Sequence, residues 1–208
     1  MDSGAAVAPP APWHSSVHAL LWCHPATPSA GGELPQPLAA RRAIPITIGG
    51  LISYVDGPVG PYREIFGAPL VLRPVPPVSR VAFMAVDSAA SVAGGRGNWA
   101  LPKVLASFEG EPGRPGRVTA RGDGWEVRVT ATARARRIPA VATFRCAQPW
   151  PDGIVREFSV RMRGAAQLAR VEVEHRAPSP LSGWLTDGRH VGVVISGTQN
   201  VSVARARA

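Results

Sequence analysis

The sequence is short of several residue types, and each shortage excludes a class of protein. Two cysteines, Cys23 and Cys146, are too few and too far apart for a disulfide framework or a cysteine-based zinc site. No apolar run approaches the roughly 18 residues that a membrane-spanning helix needs. The N-terminal segment has an acid at position 2 and lacks the basic and apolar regions of a secretory signal. We therefore expect a cytoplasmic protein without a membrane segment.

Lysine is almost absent. Of the 23 basic residues, 22 are arginine and only Lys103 is lysine. Arginine stays protonated and cannot act as an amine nucleophile, whereas lysine can lose its charge when buried and attack a carbonyl. Lys103 lies in WALPKVLASF, with apolar residues on both sides and no carboxylate nearer in sequence than Glu109. This setting favours a chemical role for Lys103 over the alternative, a surface lysine that is present by chance and has no function.

Acidic residues are fewer than basic ones, and the net charge of +9 and pI near 11.2 raise the question of nucleic-acid binding. Most arginines are scattered singly among apolar residues, without the interleaved aromatics of an RNA-binding sheet. The closest groups are Arg134, Arg136 and Arg137, and the pair Arg161 and Arg163. We expect no nucleic-acid partner, although an acidic carrier protein holding the substrate would fit such a surface.

Three of the five histidines, His14, His18 and His24, lie close to Cys23 near the start of the chain. Nothing else in the sequence completes a set of metal ligands around them. We predict no metal site and no cofactor.

The length of 208 residues and the absence of a long polar linker indicate a single domain over residues 13–208, after a flexible tail over residues 1–12. The 22 glycines and 22 prolines imply many turns and favour short strands. A hairpin is expected over 117–135, with its turn at Gly122, Asp123 and Gly124. Gly49 and Gly50 suggest a bulge or bend. Further strands are predicted at 17–23, 44–55, 62–73, 78–86, 103–111, 138–146, 154–164, 169–176 and 192–204.

One helix is predicted over SAASVAGGRGNWA, residues 88–100. Asp87 and Ser88 can cap it, its glycines permit close packing, and Pro102 ends it. Strand alternation after the helix is expected to place Lys103 and Leu105 on one face. The whole is a mostly β protein, a barrel or sandwich with one or two short helices.

The segments VGPYREI, FMAVDSAASVAGGR and WALPKVL, in this order and spacing, resemble the acetoacetate decarboxylase family. The resemblance covers about residues 59–110. It implies a closed, cone-like antiparallel β structure that assembles into homo-oligomers. It also implies that the lysine after the proline, Lys103, forms a Schiff base deep in an apolar cavity, and that Glu64 of the Gly-x-Tyr-x-Glu segment shapes the site.

Other positions of these motifs complete the predicted site. Arg96 matches the arginine of the family's Gly-Arg pair and could orient Glu64 or a substrate carboxylate, with a structural ion pair as the alternative. Glu64 is the candidate general acid or base, or else a surface carboxylate paired with a neighbouring arginine. Residues expected to line the pocket are Tyr62, Met84, Trp99, Leu101, Val104 and Leu105.

The chain departs from the family pattern at three places. Val104 stands where the decarboxylase has a second lysine. The family's other active-site glutamate would fall near Gly49 and Gly50, and its arginine near residues 15–18, and neither has a match. Imine chemistry is therefore better supported than decarboxylation of acetoacetate itself.

These features predict a Schiff-base-forming lyase acting on a keto (β-keto) acid, as a decarboxylase or as an aldolase- or dehydratase-like biosynthetic enzyme. A free lysine has a pKa of about 10.4, so at pH 7 on the order of one amine in a thousand is uncharged. Burial can lower that pKa by roughly 3 to 5 units, and with Val104 beside it burial should supply nearly the whole shift. The prediction requires that no carboxylate keep the amine protonated. The alternative function is a non-catalytic β-barrel that binds a small apolar ligand.

Overall fold

The computed structural model describes residues 8–27, 46–71, 78–176 and 180–206. Within these ranges, one α-helix, α1 (Ala89–Trp99), and a 3-10 turn, Pro180–Gly183, accompany the strands. The strands are β1 (Trp13–Pro25), β2 (Ile46–Asp56), β3 (Tyr62–Val71), β4 (Val78–Ser79), β5 (Phe83–Val86), β6 (Lys103–Leu105), β7 (Ser107–Glu109), β8 (Gly116–Gly122), β9 (Trp125–Ala133), β10 (Ile138–Pro149), β11 (Val155–His175), β12 (Gly188–Val201) and β13 (Arg205–Ala206). The predicted mostly β architecture is confirmed.

The strands pair in a ring, in the order β10, β4, β3, β2, β1, β12, β11, with β11 returning to β10. Most pairs are antiparallel, and β10–β4 and β5–β6 are parallel. The 21-residue β11 pairs with β10 through its first half and with β9 through its second half, so it joins the ring to the β7–β8–β9 extension. This connection gives the molecule two cores.

β1 contributes to both cores because successive side chains of a strand point to opposite faces. Trp13, Val17 and Ala19 pack in the core inside the ring. Leu20 and Trp22 pack in the second core, between the ring and the hairpin of β8 and β9. The predicted hairpin is confirmed: Gly122 pairs with Trp125 across the two-residue turn, and Gly124 has a φ of 70°.

Gly49 and Gly50 do not form the predicted bulge. The pairing of β1 with β2 runs unbroken through both, and its irregularity lies at Ser16 and Val17. A Cβ atom at Gly49 would overlap the indole ring of Trp22, and one at Gly50 would overlap the ring of Phe66. The glycines are therefore explained by aromatic rings that lie directly on the backbone.

Four predicted strands are divided differently in the structure. The segment 78–86 is two strands, and β11 joins the two strands predicted at 154–164 and 169–176. The segment 103–111 is broken at Ala106, whose N–H donates to Val86 O. Because β6 has only three residues, the predicted alternation fails: Lys103 is buried, whereas Leu105 is 59% exposed and Val104 is 40% exposed.

Residues 1–7 of the predicted N-terminal tail lie outside the described residues. Pro9 and Ala11, also in that segment, hydrogen-bond to the side chain of Asn98 near the end of α1. No helix in the described ranges is long and apolar enough to span a membrane.

Candidate active site

The ring encloses a cavity of about 70 Å³. That is several times the roughly 10–15 Å³ that one water molecule requires, and less than the ~150 Å³ of an engineered cavity that accepts benzene. Most of its wall is apolar, with the rings of Trp13, Phe66, Trp99, Phe144 and Phe158 among the lining groups. The polar lining residues are Ser15, Tyr54, Tyr62, Glu64, Ser79, Lys103, Cys146 and Gln199.

α1 and the turn after it bring Lys103 to this wall. Ser88 caps the helix by accepting a hydrogen bond from Ser91 N, which confirms one of the two predicted caps. The helix ends at Ala100, which has a φ of 50°. The chain then enters β6, which pairs with β5 so that Lys103 lies opposite Met84.

Gly95 makes room for the lysine side chain. A Cβ atom at Gly95 would lie 2.6 Å from Lys103 Cδ and 2.7 Å from Cε, which is closer than carbon atoms pack. The side chain of Lys103 therefore crosses the helix directly against its backbone. The predicted close packing at the glycines of α1 is found here.

The Lys103 amine forms a buried ion pair with Glu64. Its Nζ lies 2.9 Å from Glu64 Oε2, and each side chain is 3% exposed. Nζ also donates to Ser91 Oγ at 2.8 Å. Glu64 reaches the cavity because it lies on β3 opposite Val86 of β5, two positions from Met84, which pairs with Lys103.

Two residues from other strands complete the surroundings of Glu64. The hydroxyl of Tyr54, on β2, donates to Glu64 Oε1 at 3.2 Å. Gln199 Nε2, on β12, donates to the Tyr54 hydroxyl at 2.9 Å. Glu64 therefore accepts a hydrogen bond on each carboxylate oxygen.

Tyr62 contacts both Tyr54 and the Lys103 amine. Its ring stacks on Tyr54 with centroids 4.1 Å apart, and Lys103 Nζ lies 5.0 Å from the ring centroid. Burial raises the pKa of Tyr62, the positive charge of Lys103 lowers it, and the net shift is upward. The pKa of Tyr54 is raised further, by burial and then by the charge of Glu64, so both tyrosines stay protonated at neutral pH.

The protonation state of Lys103 is opposite to the sequence prediction. Burial does act to lower its pKa and is the largest single influence, but the charge of Glu64 and the hydrogen bonds to Glu64 and Tyr62 outweigh it. The net pKa is raised, so the resting side chain is an ammonium group. The predicted burial is present, whereas the predicted neutral amine is wrong because Glu64 lies within hydrogen-bonding distance.

Of the predicted site residues, Lys103, Glu64, Tyr62, Met84, Trp99 and Leu101 all line the cavity. Arg96 does not line it. Its side chain lies on an exposed turn of α1, and its Nε donates to the backbone oxygen of Lys103 at 2.9 Å. Its predicted contact with Glu64 is therefore replaced by a contact that fixes the backbone of β6. Val104 and Leu105 also lie outside the cavity lining.

The surface alternative for Glu64 is wrong as well. Glu64 is 2% exposed, and the neighbouring Arg63 pairs with Asp87 instead, with 2.6 Å between Arg63 Nε and Asp87 Oδ2. Asp87 also accepts from Arg63 N. Asp87 thus holds β3 at the end of β5, whereas Ser88 caps the helix.

Sequence reasoning missed Tyr54, Ser91 and Gln199. Ser91 could have been inferred from the sequence, because it lies on the predicted helix one turn before Gly95. Tyr54 and Gln199 carry no local signal, since they lie in ordinary strands 145 positions apart and meet only across the ring.

The histidines near Cys23 do not converge on a metal. His18 hydrogen-bonds to Ser196 and Arg114, and His24 to the backbone oxygens of Pro25 and Trp184. Over the described ranges, no group of three or more histidine, cysteine or carboxylate side chains is placed to hold an ion. Burial raises the pKa of Cys146, which lines the cavity, to about 12, so it remains a thiol.

Comparisons with known proteins agree with the fold and the motifs. A family model described as acetoacetate decarboxylase (ADC) matches residues 3–150. No curated protein matches the sequence significantly.

Solved structures with this fold share little sequence with the chain. A structure of acetoacetate decarboxylase has 16% identity and a TM-score of 0.70, covering 98% of this chain and 91% of its own. An acetoacetate decarboxylase-like enzyme from Sphingomonas wittichii RW1 has 16% identity and a TM-score of 0.70, covering 99% and 96%. The enduracididine biosynthesis enzyme MppR in complex with pyruvate has 15% identity and a TM-score of 0.68, covering 98% and 93%.

The family match spans more than half of the chain, includes Lys103 and Glu64, and coincides with a fold shared along nearly the whole length. The chain belongs to the acetoacetate decarboxylase family.

Proposed function

We propose that this protein is a lyase that forms a Schiff base between Lys103 and a small keto (β-keto) acid. The observation that carries the proposal is the buried Lys103 amine, 2.9 Å from a carboxylate, at the wall of an otherwise apolar cavity. A primary amine can attack a ketone, and a carboxylate in contact with it can move the protons that the reaction requires.

The resting ammonium does not meet the requirement set from the sequence, so the reaction has to begin with a proton transfer that frees the amine. Lys103 first passes a proton to Glu64 Oε2, and the freed amine attacks the carbonyl carbon. A C–N bond forms as the C–O π bond breaks, and the proton that the nitrogen loses moves to the oxygen, which gives a neutral carbinolamine. Loss of water, with Glu64 as the acid, leaves an iminium and a carboxylate. The carboxylate then stabilises this cation as it stabilised the ammonium.

The iminium accepts an electron pair from a bond at the adjacent carbon. Breaking the bond to a carboxylate releases carbon dioxide, and breaking a C–H or C–C bond leads to aldol or dehydration chemistry. The resulting enamine takes a proton at carbon or attacks a second carbonyl, and water then frees the lysine. Val104 in place of a second lysine favours the non-decarboxylating routes. The complex of MppR with pyruvate supports a small keto acid as the substrate class.

Reductive trapping tests this proposal with unusual clarity because the chain has one lysine. The protein is incubated with a panel of α- and β-keto acids and matched neutral ketones, reduced with borohydride, digested and analysed by mass spectrometry. We expect an adduct on the peptide containing Lys103, and none in Lys103→Arg, which keeps the charge but cannot form an imine. Adducts confined to the N-terminal amine, or turnover unchanged in Lys103→Ala, would contradict the proposal.

A second function, binding of a small apolar ligand without turnover, is favoured by the same ion pair. A lysine held as ammonium is unreactive, and the cavity wall is mostly apolar. This reading predicts that apolar ketones raise the unfolding temperature of the protein while no reagent traps an adduct on Lys103. Trapping with a keto acid contradicts it.

We further propose a cytoplasmic homo-oligomer with no nucleic-acid partner, which can receive its substrate from an acidic carrier protein. The excess of basic residues supports a carrier. Light scattering on the purified protein measures the assembly. Titration with an acidic carrier protein, at low and high salt, tests for an electrostatic contact.

A further inference from the structure

Four buried side chains from four different strands form one line of hydrogen bonds across the ring. Gln199 donates to Tyr54 over 2.9 Å, Tyr54 donates to Glu64 Oε1 over 3.2 Å, and Lys103 donates to Glu64 Oε2 over 2.9 Å. All four are less than 9% exposed. Only Lys103 and Glu64 are needed by the proposed reaction, so the roles of Gln199 and Tyr54 remain to be explained.

The chemistry of the groups fixes the direction of the hydrogen bonds. The amide nitrogen of Gln199 can only donate, so the Tyr54 oxygen accepts from it. The single hydroxyl hydrogen of Tyr54 is then available for Glu64. Tyr54 keeps this hydrogen at working pH because burial, and next the charge of Glu64, raise its pKa well above the usual value for a tyrosine.

A carboxylate that accepts hydrogen bonds on both oxygens is held in one orientation, because turning it would break both bonds. For Glu64 one of these donors is the Lys103 amine and the other is Tyr54. The charge of Glu64 raises the pKa of Lys103, and this effect depends on the 2.9 Å separation of the two groups. The donor on the far side of Glu64 therefore influences the amine without touching it.

We propose that Tyr54 and Gln199 are positioning residues that hold the Glu64 carboxylate against the Lys103 amine and thereby control when Lys103 gives up its proton. Gln199 acts on Tyr54, and Tyr54 acts on Glu64. A role of Tyr54 and Gln199 in catalysis rests on the proposed function. Their effect on the protonation of Lys103 does not.

The effect on the proton can be measured directly because Lys103 is the single lysine. Protein grown with [ε-¹³C]lysine gives one ¹³C NMR signal, whose chemical shift is followed from pH 6 to pH 12. Tyr54→Phe keeps the ring and its stacking on Tyr62 and removes the hydroxyl. Gln199→Met keeps the length of the side chain and removes the amide. Ser79→Ala is the control, since it removes a hydroxyl from the same cavity without touching the line of hydrogen bonds.

We expect the titration midpoint of the original protein to lie above that of free lysine, about 10.4. Tyr54→Phe should lower the midpoint by up to about one pH unit, because a Glu64 carboxylate that has lost its hydrogen bond on Oε1 is held less firmly against Lys103. Gln199→Met should lower it by less, and Ser79→Ala should leave it in place. A midpoint in Tyr54→Phe equal to that of Ser79→Ala overturns the proposal. If Tyr54→Phe does not fold, Gln199→Met decides in the same way.

Reductive trapping of a keto acid across the same pH range separates this proposal from the proposed function. The pH at which trapping becomes fast should fall in Tyr54→Phe together with the NMR midpoint. Midpoints that shift while no variant traps any carbonyl compound would support the control of the proton and contradict the Schiff-base function. Trapping at Lys103, together with an NMR midpoint that Tyr54→Phe does not change, would support the Schiff-base function and contradict the control of the proton.

Discussion

Lys103 Nζ lies 2.9 Å from Glu64 Oε2 in a place where each side chain is 3% exposed. The proposed Schiff-base chemistry depends on this contact. Removing water from two opposite charges costs free energy, which their mutual attraction and the hydrogen bonds from Tyr54 and to Ser91 offset. The pair should therefore behave as a unit in both stability and reactivity.

The first prediction concerns the charge left behind when one partner is removed. Lys103→Met leaves the buried Glu64 carboxylate without its cation and should lower the free energy of unfolding by about 3–5 kcal/mol at pH 8. Adding Glu64→Gln removes the isolated charge and should restore most of the loss. Urea unfolding of the two variants measures this difference. Equal stability of the single and double variants would show that the charge is not buried in solution.

The second prediction is an alkaline loss of stability. The folded pKa of Lys103 is raised above its unfolded value, so the folded state binds the extra proton at high pH. The stabilising contribution is therefore complete below about pH 10.4 and is lost as the pH rises through the folded pKa. The free energy of unfolding from pH 9 to 11.5 should fall more steeply in the original protein than in Lys103→Met. Because the charge of Lys103 lowers the pKa of Tyr62, the comparison is made with Tyr62→Phe in both proteins, and parallel curves would contradict the raised pKa of Lys103.

The third prediction compares two glycines of the same helix. Gly95→Ala places a methyl group 2.6 Å from Lys103 Cδ, so it should displace the lysine, abolish trapping and destabilise the protein. Gly97→Ala meets no atom within 4 Å and should stabilise the protein by up to about 1 kcal/mol through helix propensity. Thermal unfolding and reductive trapping of both variants test the pair. Normal trapping by Gly95→Ala would mean that Lys103 does not cross the helix at this point.

The fourth prediction separates two ion pairs of similar length. Asp87 accepts from both the backbone and the side chain of Arg63, next to Glu64, and Asp87→Ala should cost about 1–3 kcal/mol. Asp152 also accepts from a backbone N–H, that of Ile154, but its side chain is 45% exposed against 21% for Asp87 and its partners lie within four residues, so Asp152→Ala should cost less than Asp87→Ala. Urea unfolding measures both changes. A larger loss for Asp152→Ala would reverse the assigned importance of the two pairs.

The sequence determined most of the strands, the helix, the family and the position of Lys103 at the candidate site. Three features of the sequence were local signals: the alternation of side chains in β8 and β9, the capping serine before α1 and the single lysine after a proline. Local signals can be interpreted without knowledge of the fold. The errors were also local in origin. Gly49 and Gly50 were interpreted through backbone conformation, although the reason for them is two aromatic rings from neighbouring strands.

Only the tertiary structure decided the charge of the Lys103 amine and which side chains contact it. Lys103 and Glu64 are 39 positions apart, and Tyr54 and Gln199 are 145 apart, so no spacing in the chain reveals that the ring brings them into contact. Apolar neighbours in sequence correctly predicted burial, which lowers the pKa of a lysine. The opposing influence of a carboxylate depends on distance in space, and at 2.9 Å that influence prevails.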